Sequence, residues 1–231
     1  MPYGAASILF SDEAQSPGAS PVTFTPATAP TIGSTVAVCV RQEGKAGTNA
    51  ETPADWTRGS AFGTAARSGV WFYRQCIDNG AGSPDFSAIT VVFTTAPSNW
   101  DMSWVEIPGA TPIEDQAITT TSGTGTAATL GTQTPTIAYV VALVAVVPSG
   151  THGGIVSATE GFTLFAVSSG STGRFIVGYK IIEDGAATGA PIITWTTSRL
   201  YQAGLILLRS AFRPEPPQIQ PAMAVQRASR W

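Results

Sequence analysis

An internal repeat constrains the fold of this chain more than any other feature of its sequence. Three blocks recur in the same order at a spacing of about 105 residues. The second block aligns two tyrosines, two basic residues and two turn aspartates. This order predicts that one supersecondary unit has been duplicated. The paired blocks are TVAVCV (35–40) with VVALVA (140–145), WFYRQCIDNGAG (71–82) with IVGYKIIEDGAATG (176–189), and 92–110 with 194–212.

The segments inside the repeat have the composition of β-strands. Runs rich in Val, Ile, Thr and aromatic residues alternate with Gly, Pro, Ser and Asn clusters, and no segment carries a capped helical stripe. The longest apolar run, Ile137 to Val147, is too short for a membrane helix of about 20 residues and predicts a buried strand. The sequence therefore predicts an all-β protein.

The two halves are expected to pack together. Half of an antiparallel sandwich cannot easily bury its own inner face. We therefore expect one antiparallel, jelly-roll-like β-sandwich over residues 31–212, with half-repeats 31–110 and 136–212 and a linker 111–135. Two small independent sandwiches are the alternative. Proline-marked segments 1–30 and 213–231 are expected to be extended arms.

Composition limits the partners of the protein. Charged residues make up only 12% of the chain, about half of the usual share, and the net charge is −3. The sequence has no basic patch that could release counterions from nucleic acid, so we expect no nucleic-acid partner. Neither a signal peptide nor a membrane span is expected, which predicts synthesis in the cytoplasm without secretion.

The sequence predicts no catalytic, cofactor-binding or metal-binding residue. His152, the single histidine, lies in a Gly-rich loop without a nucleophile motif and is expected to be solvated. Asp78 and Asp184 occupy matching turns, where an aspartate bonds its own backbone. A calcium site at these turns is the alternative, although they lack the ligand density of a calcium loop.

The cysteines and tryptophans each allow two interpretations. Cys39 and Cys76 fall in predicted strands, either as buried apolar side chains or as a disulfide between strands. Strand tryptophans are expected in the core: Trp71, Trp104 and Trp195. The positions of Trp56, Trp100 and Trp231 are less determined, and exposed members of this set would form a platform for sugar rings.

Several motifs resemble those of a β-sandwich family common in tailed bacteriophages and prophage regions. They comprise the strand GSTVAVCV (33–40), the pairs Trp56-Thr57 and Phe162-Thr163, a Tyr-Arg/Lys strand that ends in an Asp/Gly turn, and a linker with Pro112, Ile113, Asp115 and SGTGT (122–126). The resemblance covers about residues 31–212. It implies a non-enzymatic virion protein without a cofactor: a capsid decoration or cement subunit, a head fibre or a minor tail component.

The last residues are expected to bind the partner. Polyproline geometry is favoured from Pro214 to Pro217, and the apolar positions that follow are spaced for docking into a groove or onto a sheet edge. The expected partners are phage capsid or tail proteins and copies of the chain itself, so we expect a homo-oligomer in the virion. The alternative is a tail module that binds host glycans. The predicted partner-binding residues are Pro214, Pro216, Pro217, Ile219, Met223, Val225, Arg227, Arg230 and Trp231.

Overall fold

A computed structural model describes residues 9–11, 15–16, 20–25, 29–46, 49–86, 88–167 and 175–210. These residues form antiparallel strands and no helix that is long and apolar enough to cross a membrane. The strands are β1 (Leu9–Ser11), β2 (Gln15–Ser16), β3 (Val22–Phe24), β4 (Ser34–Glu43), β5 (Thr57–Thr64), β6 (Arg67–Gln75), β7 (Ile89–Val91), β8 (Asn99–Pro108), β9 (Ala110–Glu114), β10 (Thr119–Thr129), β11 (Val140–Pro148), β12 (Ile155–Ala158), β13 (Thr163–Val167), β14 (Phe175–Ile182) and β15 (Ile192–Ser210).

The strands form two large sheets and one small one. The first large sheet has the order β1-β8-β4-β6-β5, and β2 also pairs with β8. The second has the order β10-β15-β11-β14-β13, and β9 and β12 also pair with β15. Strands β3 and β7 form the small sheet. The prediction of an all-β, antiparallel fold is confirmed.

Corresponding strands occupy the same places in the two large sheets. Strands β8-β4-β6-β5 of the first sheet follow the order of β15-β11-β14-β13 in the second. In each sheet, one residue of the central strand (β4 or β11) is paired with a residue of the strand on either side. One of these neighbours is the tyrosine of β6 or β14. These matching sets are Val105, Ala37 and Tyr73 in the first sheet and Ile206, Leu143 and Tyr179 in the second.

This register differs by one residue from the alignment of the repeat blocks in two places. Ala37 corresponds in position to Leu143, whereas the sequence blocks aligned it with Ala142. Val105 corresponds to Ile206, one residue before the Leu207 of the alignment. Since successive side chains point to opposite faces of a sheet, a one-residue slip exchanges the two faces. The blocks at 35–40 and 140–145 are almost entirely apolar, so their composition does not reveal which residue faces which way.

The central strands β4 and β11 are buried on both faces, which explains the apolar runs VAVCV in β4 and VVALVAVV in β11. One face of each strand enters a central cluster that contains side chains of both large sheets, such as Cys39 and Trp71 with Leu143 and Phe175. Each fully buried Val or Leu side chain contributes about 1.5–3 kcal/mol to stability. The prediction that Ile137 to Val147 contains a buried strand is confirmed by β11.

The opposite faces of the two sheets have clusters of their own. The first sheet is covered by the small β3–β7 sheet and by aromatic loop residues, including Trp56 and Phe86. The second is covered by Phe162 and by the residues around Trp195. Trp56 and Phe162, which precede β5 and β13, therefore occupy comparable buried positions. Part of the predicted N-terminal arm belongs to this body, because β1 and β2 pair with β8 and β3 pairs with β7.

Candidate functional site

A concave site lies where β9 meets β5 and β6. Two adjoining cavities of about 410 and 420 Å³ share Thr57, Tyr73 and Pro112 in their walls. We call this continuous depression the β9 groove. It lies at the exposed end of the packing between the two large sheets, because Tyr73 belongs to the central cluster.

The floor of the β9 groove is a hydrogen-bond network around the carboxylate of Glu114. Its Oε1 accepts from the Tyr73 hydroxyl and the Ser60 backbone N–H, both at 2.7 Å, and its Oε2 accepts from the Ser60 hydroxyl at 2.5 Å. Charge-assisted bonds of this kind are stronger than bonds between neutral groups. The network therefore fastens β9 to β5 and β6.

Gly59 makes this close approach possible. A Cβ atom at position 59 would lie 2.2 Å from Cε2 of Tyr73 and 2.6 Å from Oε1 of Glu114. These distances are shorter than any van der Waals contact, so a side chain at position 59 would push the tyrosine or the carboxylate away. Burial raises the pKa of the Tyr73 phenol well above its ordinary value, and the neighbouring Glu114 carboxylate raises it further. The phenol therefore remains a hydrogen-bond donor at neutral pH.

The rim of the β9 groove combines charge with exposed apolar surface. Arg74 contacts Asp85 at 3.2 Å, and its guanidinium lies 5.2 Å from the ring centre of Phe86. Ile77 and Ile113 are both 53% exposed and stand on opposite parts of the rim. Because the Glu114 carboxylate is already bonded to protein donors, the floor of the groove is a structural brace.

A second brace starts from the residue that follows Glu114. The buried carboxylate of Asp115 accepts hydrogen bonds from the backbone N–H of Thr136 at 2.6 Å and from its hydroxyl. It also contacts Nε of Arg209 at 3.1 Å. These partners belong to the second half of the chain. Glu114 is the last residue of β9 and Asp115 lies in the bend that follows, and their carboxylates tie this segment to different halves.

An ionic cluster closes another part of the first sheet. Arg41 is completely buried and contacts Asp101, its direct cross-strand neighbour, at 2.5 Å. Its second terminal nitrogen contacts Glu43 at 3.1 Å, and Glu43 also meets Arg67 at 3.5 Å. A buried charge is tolerated only when it is paired in this way. The cluster is a structural ion-pair network of β4, β6 and β8.

The predicted turn aspartates behave as expected. Oδ1 of Asp78 accepts from the backbone N–H groups of Gly80 and Gly82, both at 2.9 Å, and Oδ1 of Asp184 accepts from that of Ala186 at 3.0 Å. The turn at Asp184 borders a further cavity of about 590 Å³ along residues 180–187. Among the described residues, no group of three His, Cys, Asp or Glu side chains could hold a metal ion.

The prediction that His152 is solvated is wrong. This side chain is only 2% exposed, because its loop folds onto β15 and its carbonyl accepts from Thr196 and Thr197. Its Nδ1 accepts from the backbone N–H of Gly154 at 3.1 Å, which places the proton on Nε2. Burial lowers the pKa of this imidazole. The loop was predicted to be exposed because its sequence is rich in glycine.

The cysteines are free and buried in different clusters. They are therefore buried apolar side chains and do not form a disulfide. Cys39 lies in the central cluster and Cys76 in the outer cluster of the first sheet. The strand tryptophans Trp71, Trp104 and Trp195 are in the core, as predicted.

Trp56 and Trp100 are also buried, with 7% and 4% exposure, so neither offers a ring face to a sugar. The predicted partner-binding residues between Pro214 and Trp231 lie outside the described residues. No family model, no curated protein and no solved structure matches the chain.

Sequence reasoning missed the Glu114 network. Tyr73 lies 41 residues and Ser60 54 residues from Glu114 in the chain, so no local motif connects them. The available signal was the adjacent pair Glu114-Asp115 in a segment with few other charges. A carboxylate pair in a charge-poor linker indicates either exposure or bonding on both sides, and the sequence cannot distinguish these.

Proposed function

We propose that the chain is a non-enzymatic structural subunit of a tailed-bacteriophage virion, a capsid decoration or cement protein made in the host cytoplasm. In this proposal residues 31–212 form a jelly-roll-like sandwich of two related halves. The arm of residues 213–231 binds a neighbouring capsid subunit or another copy of the chain.

The sandwich and the duplication are supported by the pairing of the strands. The two large sheets share the strand order described above, and their facing side chains mix in the central cluster. Each sheet has an outer cluster as well, so each half also has part of a core of its own. A duplicated unit that packs against the other copy within the chain accounts for both the shared central cluster and the separate outer clusters.

The main support for a structural role is that the acidic side chains are bonded to groups of the protein itself. Glu114 and Asp115 are bonded to protein donors from opposite halves, and Asp101 is paired with Arg41. General acid–base chemistry requires a group that can exchange its proton with a substrate. Here the acids brace the body, as a rigid building block of a shell requires.

An arm adds to this role through multivalency. A subunit that sits on a shell by its body and also holds a neighbour by its arm turns the second binding step into an intramolecular one. The effective concentration for that step is then in the millimolar range. Overall affinity rises by about 100- to 10,000-fold without any change in the body.

Particle assembly tests this proposal. Capsids are assembled with the full chain, with a chain lacking residues 213–231, and with a chain in which these residues are present in scrambled order. We expect full occupancy for the first and at least tenfold lower occupancy at limiting concentration for the other two. Equal occupancy and equal particle stability for all three chains would refute the proposal that residues 213–231 bind a neighbouring subunit.

The alternative function, recognition of host glycans, has less support. Its candidates in the described part of the chain, Trp56 and Trp100, are buried in the outer cluster of the first sheet. Sugar rings stack on exposed aromatic faces, so these two side chains would have to leave the core to bind. Specific signal on a glycan array that survives in a variant lacking residues 213–231 would favour this alternative over the structural role.

A further inference from the structure

We propose that the outer edge of β10 accepts residues 222–231 of a neighbouring copy as an added antiparallel strand. The inference rests on the proposed role of residues 213–231 as an arm, and it names the surface that receives the arm. The interaction is β-augmentation, in which backbone hydrogen bonds supply affinity and alternate side chains supply specificity.

Strand β10 is an edge with an open side. It pairs with β15 along one side, and none of the described strands pairs with its other side. From Thr119 to Gly125 the pairing with β15 is uninterrupted, which keeps this part of the edge regular. The strand contains no charged residue and no proline. Its outward N–H and C=O groups therefore form a template for another strand.

Among the described strands, the other edges of the two large sheets carry protection that the stretch of β10 from Thr119 to Gly125 lacks. The edge of β8 is covered by β1 and β2. Strand β5 carries Arg58 and has an irregular register between Arg58 and Ala61, and β13 has only five residues. Proteins use covering strands, charges, irregularities and short strands to prevent edge-to-edge association. Strand β10 also has a register shift, between Gly125 and Ala127, but its stretch from Thr119 to Gly125 is regular and uncharged. An edge stretch of this kind indicates a surface that is covered in the functional assembly.

The C-terminal residues have the properties of the missing strand. Pro221 is the last proline of the chain, and the ten residues after it, AMAVQRASRW, can all donate a backbone hydrogen bond. Alanines at 222, 224 and 228 alternate with larger side chains such as Met223 and Val225. In an extended conformation these three small alanine side chains would lie on one face, because successive side chains point to opposite sides. The length exceeds that of the regular run on β10, so the segment can cover it completely.

The direction of the chain favours a neighbouring copy as the acceptor. A strand antiparallel to β10 must start beside Gly125, which pairs with Arg199. Strand β15 ends at Ser210, at the other end, so to reach β10 of the same copy residues 211–221 would have to span the length of β15 from Ser210 back to Arg199. These residues are about as many as that stretch contains, and they include four prolines. With Ala222 placed beside Gly125, residues 211–221 only reach the starting point when fully extended, and no residue remains for the reversal.

A proline scan of the donor tests the inference in the full-length chain. Single prolines are placed at positions 223 to 230, and self-association is measured by sedimentation equilibrium. In an added edge strand, alternate N–H groups point toward β10 and away from it. We expect association at least tenfold weaker at alternate positions and little changed at those between. A uniform effect, no effect, or a chain that is monomeric at millimolar concentration overturns the inference.

A matched pair of variants tests the acceptor. The N–H groups of Thr121 and Ser122 face opposite sides of β10, so Thr121→Pro and Ser122→Pro each remove a donor from one side. We expect one variant to lower the melting temperature because it breaks a bond to β15. The other should keep the melting temperature and lose association. If both variants associate as the parent does, the acceptor is another surface and the inference is wrong.

Cysteine cross-linking identifies the copy that is bound. Chains with Thr124→Cys are mixed with chains carrying Met223→Cys, which lies opposite when Ala222 is beside Gly125, and the disulfide is expected to join two different copies. A disulfide that forms only within a chain carrying both changes overturns the assignment to a neighbour. If particle occupancy depends on residues 213–231 but these tests fail, the proposed function stands and only the β10 acceptor falls.

Discussion

Glu114 and Asp115 are neighbours in the chain, yet their carboxylates bond to opposite halves of the molecule. Glu114 accepts from Ser60 and Tyr73 in the first half, and Asp115 accepts from Thr136 and contacts Arg209 in the second. Strand β9 ends at Glu114, and Asp115 lies in the bend that follows it. The linker thus braces the two halves in addition to connecting them.

The Asp115 brace can be tested with Asp115→Asn. This change preserves the shape of the side chain, removes the charge that faces Arg209, and turns an amide toward the N–H of Thr136. Because the group is buried, we expect the free energy of unfolding to fall by about 1.5–3 kcal/mol, as for other hydrogen bonds to a charged group. The midpoint of urea denaturation measures this loss. The exposed Glu183→Gln is the matched control and should change stability by less than about 0.5 kcal/mol. Equal midpoints for the two variants would show that the brace contributes nothing.

The packing of Gly59 against the Glu114 network predicts that Gly59→Ala is destabilising. The added methyl group overlaps Tyr73 and Glu114, so we expect a loss of about 1–3 kcal/mol in the free energy of unfolding, the usual cost of overpacking. Gly125→Ala is the control, since the nearest atom to its Cβ would be 3.9 Å away. Thermal unfolding of both variants measures the effect. A stable Gly59→Ala protein would mean that β9 is not held tightly to β5 and β6.

Strand identity could be predicted from the sequence because burial on both faces leaves a continuous apolar signature. The run that forms β11 and the block that forms β4 were recognised on that basis. The pairing register could not be predicted, because a strand that is apolar on both sides gives no signal of which residues face inward. Ala37 was therefore aligned with Ala142, although it corresponds in position to Leu143.

The polar sites were less predictable than the strands. Turn aspartates such as Asp78 bond within a few residues, so their role is visible locally. The partners of Glu114 and Arg41 are distant in the chain and meet only through the sheet topology. His152 was misjudged because glycine-rich loops are usually exposed, whereas this loop packs on Thr196 and Thr197 of β15.

The burial of Cys39 and Cys76 predicts how the two thiols react with a labelling reagent. Burial raises the pKa of Cys39 well above its ordinary value and also raises that of Cys76, so neither thiolate is available in the folded protein at pH 8. We expect a thiol reagent to label neither residue in the native state and both in denaturant. Mild oxidation should produce no bond between them, because they lie in separate clusters. Rapid labelling of one cysteine in the native state would contradict its burial.

The single histidine predicts how stability depends on pH. Burial lowers the folded-state pKa of His152 below its unfolded value of about 6.5, so the unfolded chain takes up a proton first as the pH falls. Above about pH 7.5 the imidazole is neutral in both states and has no effect. Below about pH 6.5 the free energy of unfolding should fall.

The control for this prediction is His152→Asn, which keeps an acceptor for Gly154 and does not titrate. The difference in unfolding free energy between parent and variant should be constant above pH 7.5 and should shift in favour of the variant as the pH falls from 6.5 to 5. All other titrating groups are the same in both proteins, so they cancel in this difference. The imidazole proton resonances of His152 offer an independent measurement. A midpoint at or above pH 6.5 in the folded protein would contradict the prediction, because it would mean that the folded state accepts the proton as readily as the unfolded chain.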